Sequence, residues 1–481
     1  MSTDTLPETA PSAAISDGDP GSPVLVFGLE ERPPVLAALL AAVAHLLAIV
    51  ASIMTAPLLI ARGLGLNDAM TTYAIASALA VSGLATAVQI LRPFGLGSGM
   101  LSIQGTSFTF IGPFVLAAGW LAADAQSMTA AGATSAAANG SAALLGTLLG
   151  TAVVGAGLTM IGGYYIEALQ RVLTRRVTAV VIVLLGLTLV GTAWSNLEQA
   201  AGAEGAGSWV WLQAASVALT IAITSRLPGL WLRLSSIVLG LVVGVLVALA
   251  TTGLNSAPAA TEGPALTLWP YPLRIEWMIL PLLLPIFLVS MTESVGDLTA
   301  TSLLSRQPLS GPAYWSRIRG GVMADGANTI LAAGFGTFPN TTFSQNNGVI
   351  QLTGVASRWV GLLVAGGLLA AAFVPGVAAG FQRLPDGVLY GATAVMFALI
   401  AVAGLRLLLL EANRGAALGM LAVCAVLAYG AAFVTGQASL PPALALITGY
   451  PVATGAVFAL LYELLAGLLH RRSGHGPPHD Q

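Results

Sequence analysis

From residue 35 to residue 468 the chain repeats one pattern: a run of roughly twenty mostly apolar residues, then a short break carrying Arg, Gly, Pro or acidic residues. A run of that length crosses the ~30 Å hydrocarbon layer of a bilayer as a helix. Fourteen spans are expected, over 35–61, 69–91, 100–121, 141–164, 177–195, 208–225, 232–253, 276–301, 319–336, 345–355, 357–379, 386–409, 415–434 and 441–468. The third and tenth are irregular. Gly97, Gly99 and Gly105 open one before a short run to Pro113, and Pro339, Asn340 and a polar stretch open the other before Gly348. Both read as broken helices.

An even number of spans leaves both ends of the chain on one side. Arg92, Arg175, Arg176, Arg317, Arg319 and Arg358 fall by loops on that side, whereas Arg62, Arg274 and Arg383 fall opposite. Cytoplasmic loops collect basic residues, so both termini are expected in the cytoplasm. Fourteen spans divide into seven and seven, and an odd number reverses the second half. The two interrupted spans then occupy corresponding positions, which predicts an inverted repeat with its site near the middle of the bilayer. Non-helical backbone at that depth must be satisfied by protein, so Met100 to Gln104 and Thr341 to Ser344 are expected to be extended pieces that pair with each other. The helical runs starting at Gly105-Thr106-Ser107 and Gln345-Asn346-Asn347-Gly348 would turn free N–H groups and positive dipole ends toward one cavity. Such ends suit an anionic or carbonyl-rich ligand.

Composition agrees with this class. Apolar residues make up 56% of 481 and charged residues only 8%, the mark of a polytopic all-α membrane protein. All 18 basic residues are Arg, and a net charge of -2 gives no reason to expect nucleic acid. Cys424 is the only cysteine, which rules out an intrachain disulfide or a zinc site of several thiolates and leaves a packing role. Residues 1–34 read as a disordered cytoplasmic tail without the form of a signal peptide, and 469–481 as a second short tail.

Against that background, the stretch from residue 284 to 354 places Glu293, Asp297, Asp325, Gln345 and Asn346 within apolar segments. Ionisable groups in a membrane are costly and mark ligand or ion pathways. Glu293 and Asp297, four apart, share one helical face with Ser290 and Thr292 nearby. Two such carboxylates repel when both are ionised, so the pair is suited to exchanging a proton as a cavity fills and empties. Asp325 lies near Arg317 and Arg319, where an ion pair or a structural hydrogen bond competes with substrate contact. His45, the one histidine of the membrane region, reads as a packing residue or a proton carrier. No hydrolytic constellation appears: the Gly-x-Gly-Asp of intramembrane aspartyl proteases is missing, because Asp297 follows Ser294-Val295-Gly296. Transport, not an enzyme activity, is the expectation.

Three segments carry a family resemblance. Ser344-Gln345-Asn346-Asn347-Gly348-Val349-Ile350-Gln351-Leu352-Thr353-Gly354 resembles the signature motif of the nucleobase-ascorbate transporter family, also called nucleobase:cation symporter family 2. Thr292-Glu293-Ser294-Val295-Gly296-Asp297-Leu298-Thr299-Ala300-Thr301 is similar to its eighth-helix motif, and Ser102-Ile103-Gln104-Gly105-Thr106-Ser107-Phe108 to its third-helix motif. The similarity covers 35–468. It implies fourteen helices in two inverted seven-helix repeats, arranged as a core domain (helices 1–4 and 8–11, about 35–164 and 276–379) and a gate domain (helices 5–7 and 12–14, about 177–253 and 386–468). It further implies a homodimer in the cytoplasmic (inner) membrane, elevator-like movement of core against gate, and a proton as coupling ion, with no cofactor or metal.

Gln345 at the opening of the motif, with Thr353-Gly354, is similar to xanthine and urate permeases, whereas Glu there is associated with uracil and Pro with ascorbate. Carried over, Glu293 would hydrogen-bond the purine ring and the Gln345 amide its other edge, with Asn346 ordering the site. Phe108 would stack on the ring, and backbone N–H groups near Thr106 and Ser107 would meet a carbonyl oxygen. Asp297 would be the coupling carboxylate or its structural partner, Asp325 an important acidic position of the ninth helix, and His45 the first-helix histidine. The family commonly has Gln just before that histidine, where Ala44 stands here. The alternatives are uracil or another nucleobase, or an inorganic anion carried by the same fold; the fixed Glu293 carboxylate argues against the anion.

Overall fold

The computed structural model describes residues 25–130, 140–170, 173–203, 207–254, 265–374, 376–411, 413–436 and 440–472. Among these the chain is almost entirely helical. In order it forms α1 (Val35–Gly63), α2 (Asp68–Leu91), β1 (Gln104–Thr106), α3 (Ile111–Ala130), α4 (Ser141–Tyr164), α5 (Ile166–Leu169) and α6 (Arg175–Gly202). Then come α7 (Gly207–Thr224), α8 (Leu230–Leu234), α9 (Ser236–Thr251), α10 (Leu280–Leu304), α11 (Gly311–Gly334), β2 (Asn340–Thr342) and α12 (Gln345–Thr353). The chain closes with α13 (Arg358–Ala372), α14 (Val377–Gln382), α15 (Asp386–Leu409), α16 (Arg414–Thr435), α17 (Pro442–Thr448) and α18 (Pro451–Arg472).

Several helices start at a side-chain cap. The Asn67 side chain accepts from the Met70 amide at 2.9 Å to cap α2, Ser357 caps α13 at the Trp359 amide, and Asn413 caps α16 at the Ala416 amide. Arg92 ends α2 in the left-handed region at φ 56°, and Pro93 follows it. Gly354 ends α12 at φ 67°, which a glycine adopts without a Cβ clash.

Eight of the described helices are long and apolar enough to cross a membrane by themselves, and four shorter apolar helices accompany them. The irregular spans are not simple helices. The third begins as the strand β1 and a single 3-10 turn over Phe108–Phe110 before α3, and the tenth as β2 before the nine-residue α12. The expected start of helix at Gly105 is therefore three residues early. Gly105 and Thr106 belong to the strand, whose partner leaves no room for a helical turn there.

Long helices pack side by side in pairs: α2 along α13, α4 along α11, and α6 along α15, with α7 and α9 together and α16 against α18. Close approach of α6 and α15 depends on glycine. A Cβ at Gly186 would fall 2.4 Å from the Ala401 nitrogen. A continuous apolar core joins these pairs, with Phe110, Phe114, Phe338 and Phe397 among its largest fully buried side chains.

The tail assigned to residues 1–34 is only partly within view, since 1–24 lie outside the described residues, as do 473–481 at the other end. Residues 25–34 are held to the core rather than free. Val26 and Phe27 amides donate to the Gly354 carbonyl at 2.7 and 3.1 Å, the Ala356 and Arg358 amides donate back to Phe27 and Leu29, and Glu30 pairs with Arg358 at 2.7 Å. The apolar Leu29 is buried, which supplies the reason for the order. At the far end α18 continues to Arg472, past the expected end of the last span.

Candidate functional site

The two interrupted segments meet. β1 and β2 pair antiparallel with Gln104 opposite Thr342, Gly105 opposite Thr341 and Thr106 opposite Asn340. The Phe343 amide donates to the Ile103 carbonyl at one end and the Ser107 amide to the Pro339 carbonyl at the other, each at 2.9 Å. This small ladder satisfies backbone that would otherwise be stranded among apolar helices. The pairing agrees with the expectation from sequence, with β1 shifted a few residues toward the C-terminus. Gly105 is required where it stands, because a Cβ there would lie 2.4 Å from the Phe343 ring.

Beside the ladder is a cavity of about 280 Å³. Ser107, Phe108 and Thr109 border it from the start of the third span, Thr342, Phe343, Ser344 and Gln345 from the start of α12, and Glu293 and Asp297 from α10. α6 and α15 close the other side with Thr178, Ile182, Leu185, Ile400 and Leu407. Polar groups therefore line one wall and mostly apolar ones the wall facing it, the composition of a small-molecule site.

The predicted residues separate into two groups. Glu293, Asp297, Gln345, Phe108 and Ser107 line the cavity. The Glu293 Oε2 accepts from Thr109 Oγ1 at 3.1 Å, and the Asp297 Oδ2 accepts from Thr342 Oγ1 at 3.1 Å. Asp297 is further fixed through its carbonyl, which accepts from Asn347 Nδ2 at 3.2 Å and from Thr301 Oγ1 at 2.8 Å. Phe108 is buried edge-on to Phe397, with centroids 5.5 Å apart, and tilted against Phe343 at 6.1 Å.

Thr106, Asn346, Asp325 and His45 do not line the cavity. The Ser107 amide is already donated to Pro339, so it is not the free backbone N–H expected of it, whereas Thr106, opposite Asn340, holds a non-hydrogen-bonded position of the ladder and turns its amide away from β2. At the first of the two helix starts the Thr109 amide donates to Ser107 Oγ, and at the second the Asn346 amide donates to the Phe343 carbonyl. Asn346 is buried and donates from Nδ2 to the Leu101 carbonyl at 2.7 Å, tying α12 to the segment before β1. His45, fully buried on α1, lies beside Asn346 with neither ring nitrogen in hydrogen-bonding geometry.

Asp325 forms no ion pair with Arg317 or Arg319. Arg317 donates to the Ser98 carbonyl and to Gln307, while Arg319 lies 3.8 Å from Glu167. The Asp325 carboxylate points the other way, into the protein, where it accepts from Gln89 Nε2 at 3.0 Å, from Ser294 Oγ and from Thr341 Oγ1 at 3.4 Å. It thus joins α2, α10, α11 and β2 at one point, and the structural hydrogen-bond reading of its position is the one the geometry gives.

Sequence reading passed over Thr109, Thr342 and Asn347 as bracing residues. Their signal was available in the motif segments as hydroxyl and amide side chains flanking the candidate carboxylates. The apolar wall from α6 and α15 had no comparable signal, because every span is apolar.

Comparison with known proteins places this arrangement. The model described as "Permease family" matches residues 36–437. The xanthine permease XanP of Escherichia coli strain K12 is 36% identical over 408 residues, covering 82% of this chain and 84% of that protein. The xanthine permease XanQ of the same organism is 32% identical over 457 residues, covering 92% of this chain and 93% of its own. The uric acid-xanthine permease of Emericella nidulans is 31% identical over 412 residues, covering 80% and 71%. Among solved structures, the transmembrane domain of the cyanobacterial bicarbonate transporter BicA is similar with TM-score 0.52 at 14% identity, covering 92% of this chain and all of that one. The murine anion transporter Slc26a9 in its inward-facing state is similar with TM-score 0.61 at 12% identity, covering 92% and 69%. These two likenesses concern the fold. With its family model matched over most of the chain and its motifs gathered around one cavity, this multi-pass membrane protein is a transporter, not an enzyme, and belongs to the nucleobase-ascorbate transporter family.

Proposed function

We propose that the protein is a proton-coupled symporter that imports oxopurine nucleobases, xanthine, urate or both, across the cytoplasmic membrane. The observation that carries this reading is the joint presence of Glu293 and Gln345 on one wall of the cavity, a carboxylate and a carboxamide able to meet two edges of a flat heterocycle. An oxopurine leaving water loses hydrogen bonds at several carbonyl and N–H groups, and these two side chains replace them. Phe108 offers the aromatic surface for its face. The relatives named for xanthine and uric acid support the same substrate class.

Asp297, beside Glu293 and opening on the same cavity, is the coupling carboxylate in this reading. Packing supports the elevator: α1–α4 with α10–α13 make the core, and α6, α7, α9, α15, α16 and α18 the gate, the cavity lying where α10 meets α6. Fourteen membrane crossings in two inverted repeats, cytoplasmic termini and a homodimer complete the proposal. The inorganic-anion alternative draws on the fold shared with BicA, but such a cargo lacks the ring N–H groups that the Glu293 carboxylate and the Gln345 amide are able to pair with.

Uptake of radiolabelled xanthine by cells lacking their own purine permeases tests the proposal, with unlabelled urate, uracil and ascorbate as competitors and a protonophore control. Protonophore-sensitive uptake blocked by urate and not by uracil is the expected result. No uptake with the protein present in the membrane would return uracil, other bases and inorganic anions to consideration. In the same cells Asp297→Asn is expected to end accumulation at unchanged membrane levels, and normal proton-driven accumulation would remove its coupling role.

A further inference from the structure

Among the described residues the Glu293 carboxylate has a single hydrogen-bond partner, Thr109, through Oε2; Oε1 makes no bond to protein. Thr109 is itself held in place. It is 1% exposed, sits in the turn Phe108–Phe110, and its amide donates to Ser107 Oγ at 3.3 Å. The contact links α10 to the segment after β1, so it fixes the carboxylate relative to the two interrupted spans. Other titratable groups around this corner are Asp297 on α10 itself, Asp325 on α11 and the buried Tyr450 hydroxyl ahead of α18; none of them bonds Glu293.

A hydroxyl differs from the amides nearby in one relevant respect. It donates to a carboxylate and accepts from a carboxylic acid, so the bond survives a change of protonation at its partner. An amide N–H can only donate. We propose that Thr109 is a positioning residue, and that its hydroxyl holds Glu293 in one rotamer through proton gain and loss, with Oε1 presented to the bound nucleobase. The inference rests on the nucleobase reading given above and assigns a new role within that site. Without the hydroxyl, Glu293 retains its charge but loses its orientation, and the balance between its two protonation states changes with it.

The test compares Thr109→Val, which keeps the shape and removes the hydrogen bond, with Thr109→Ser, which keeps the hydroxyl. Xanthine uptake is measured over a range of pH and normalised to the amount in the membrane. Thr109→Val is expected to raise KM by roughly 10- to 150-fold, the size of one lost hydrogen bond to a charged group, and to displace the pH profile. Thr109→Ser is expected to restore both. A wild-type KM and pH profile in Thr109→Val would overturn the proposal, as would a serine variant as impaired as the valine one. If valine prevents insertion, Thr109→Ala is measured in its place with the same expectation.

Wild-type protein without xanthine uptake would defeat the nucleobase reading instead. The Thr109 link is then read by infrared spectroscopy on the purified protein, from the carboxyl band that disappears in Glu293→Gln. Movement of that band in Thr109→Val upholds the link, and an unmoved band refutes it.

Discussion

Asp325 and Glu293 are both carboxylates inside an apolar helical assembly, yet their surroundings differ. Asp325 is 4% exposed and surrounded by neutral donors from three other elements, with no opening to the cavity. Glu293 is half-buried, has one hydroxyl partner and borders the cavity. The lesson concerns satisfaction rather than residue type. A buried carboxylate whose oxygens are fully engaged holds helices together, whereas one with an oxygen to spare is available to a ligand.

The comparison is broken most severely at its structural side. Asp325→Ala removes the acceptor shared by the Gln89 amide and the Ser294 and Thr341 hydroxyls, at about 1.5–3 kcal/mol for each lost bond to the carboxylate. Several such losses together are comparable to a whole protein's margin of stability, so the expected outcome is little folded protein in the membrane, measured by size-exclusion profile and membrane immunoblot. Normal amounts of well-folded carrier would show that Asp325 is not the junction described.

The cavity side is expected to respond in the opposite manner. Gln345→Glu replaces an amide with an acceptor-only group and adds a third carboxylate to the cavity wall. Oxopurine affinity is expected to fall by about 30- to 1000-fold, or ~2–4 kcal/mol, at unchanged protein levels. Competition assays with xanthine and urate read this directly, and unchanged affinity would contradict the assigned contact.

A finer division comes from Gln89→Leu, which removes one donor from Asp325 while leaving the other two, and also takes away the partner of the Gly321 carbonyl and of the Ser98 amide. About 1–3 kcal/mol of stability should be lost for each group left without its Gln89 partner, visible as a lowered thermal midpoint, with KM for the substrate unchanged. A change in KM with an unchanged midpoint would move Asp325 to the functional side of the comparison.

The distinction between the two carboxylates was only half legible in the sequence. Polar residues in apolar spans marked Glu293, Asp297, Asp325, Gln345 and Asn346 together, because their cost in a membrane is independent of what pays for it. Which of them face the cavity depends on partners such as Gln89 and Leu101, far away in the chain, and no local pattern reports those pairings. Arg317 and Arg319 were near Asp325 in sequence but turn away from it on their helix, toward Ser98 and Glu167. The broken spans were legible from Gly and Pro, since these residues interrupt helices by known sterics. Their register was not, because three-residue strands have too little alternation to fix it. Order in residues 25–34 escaped notice because one buried leucine and a few backbone bonds leave hardly any mark on a polar stretch.

The pairing of Gln104 with Thr342 also bears on how the protein is made. A ribosome delivers β1 to the bilayer long before β2 exists, and for that whole interval three residues of extended backbone lack the strand that satisfies them. The cavity wall beside the ladder is thus assembled late in biogenesis, after the second half has been inserted. A chain truncated before Asn340 would have all of β1 and no partner for it, leaving an unpaired edge inside the assembly.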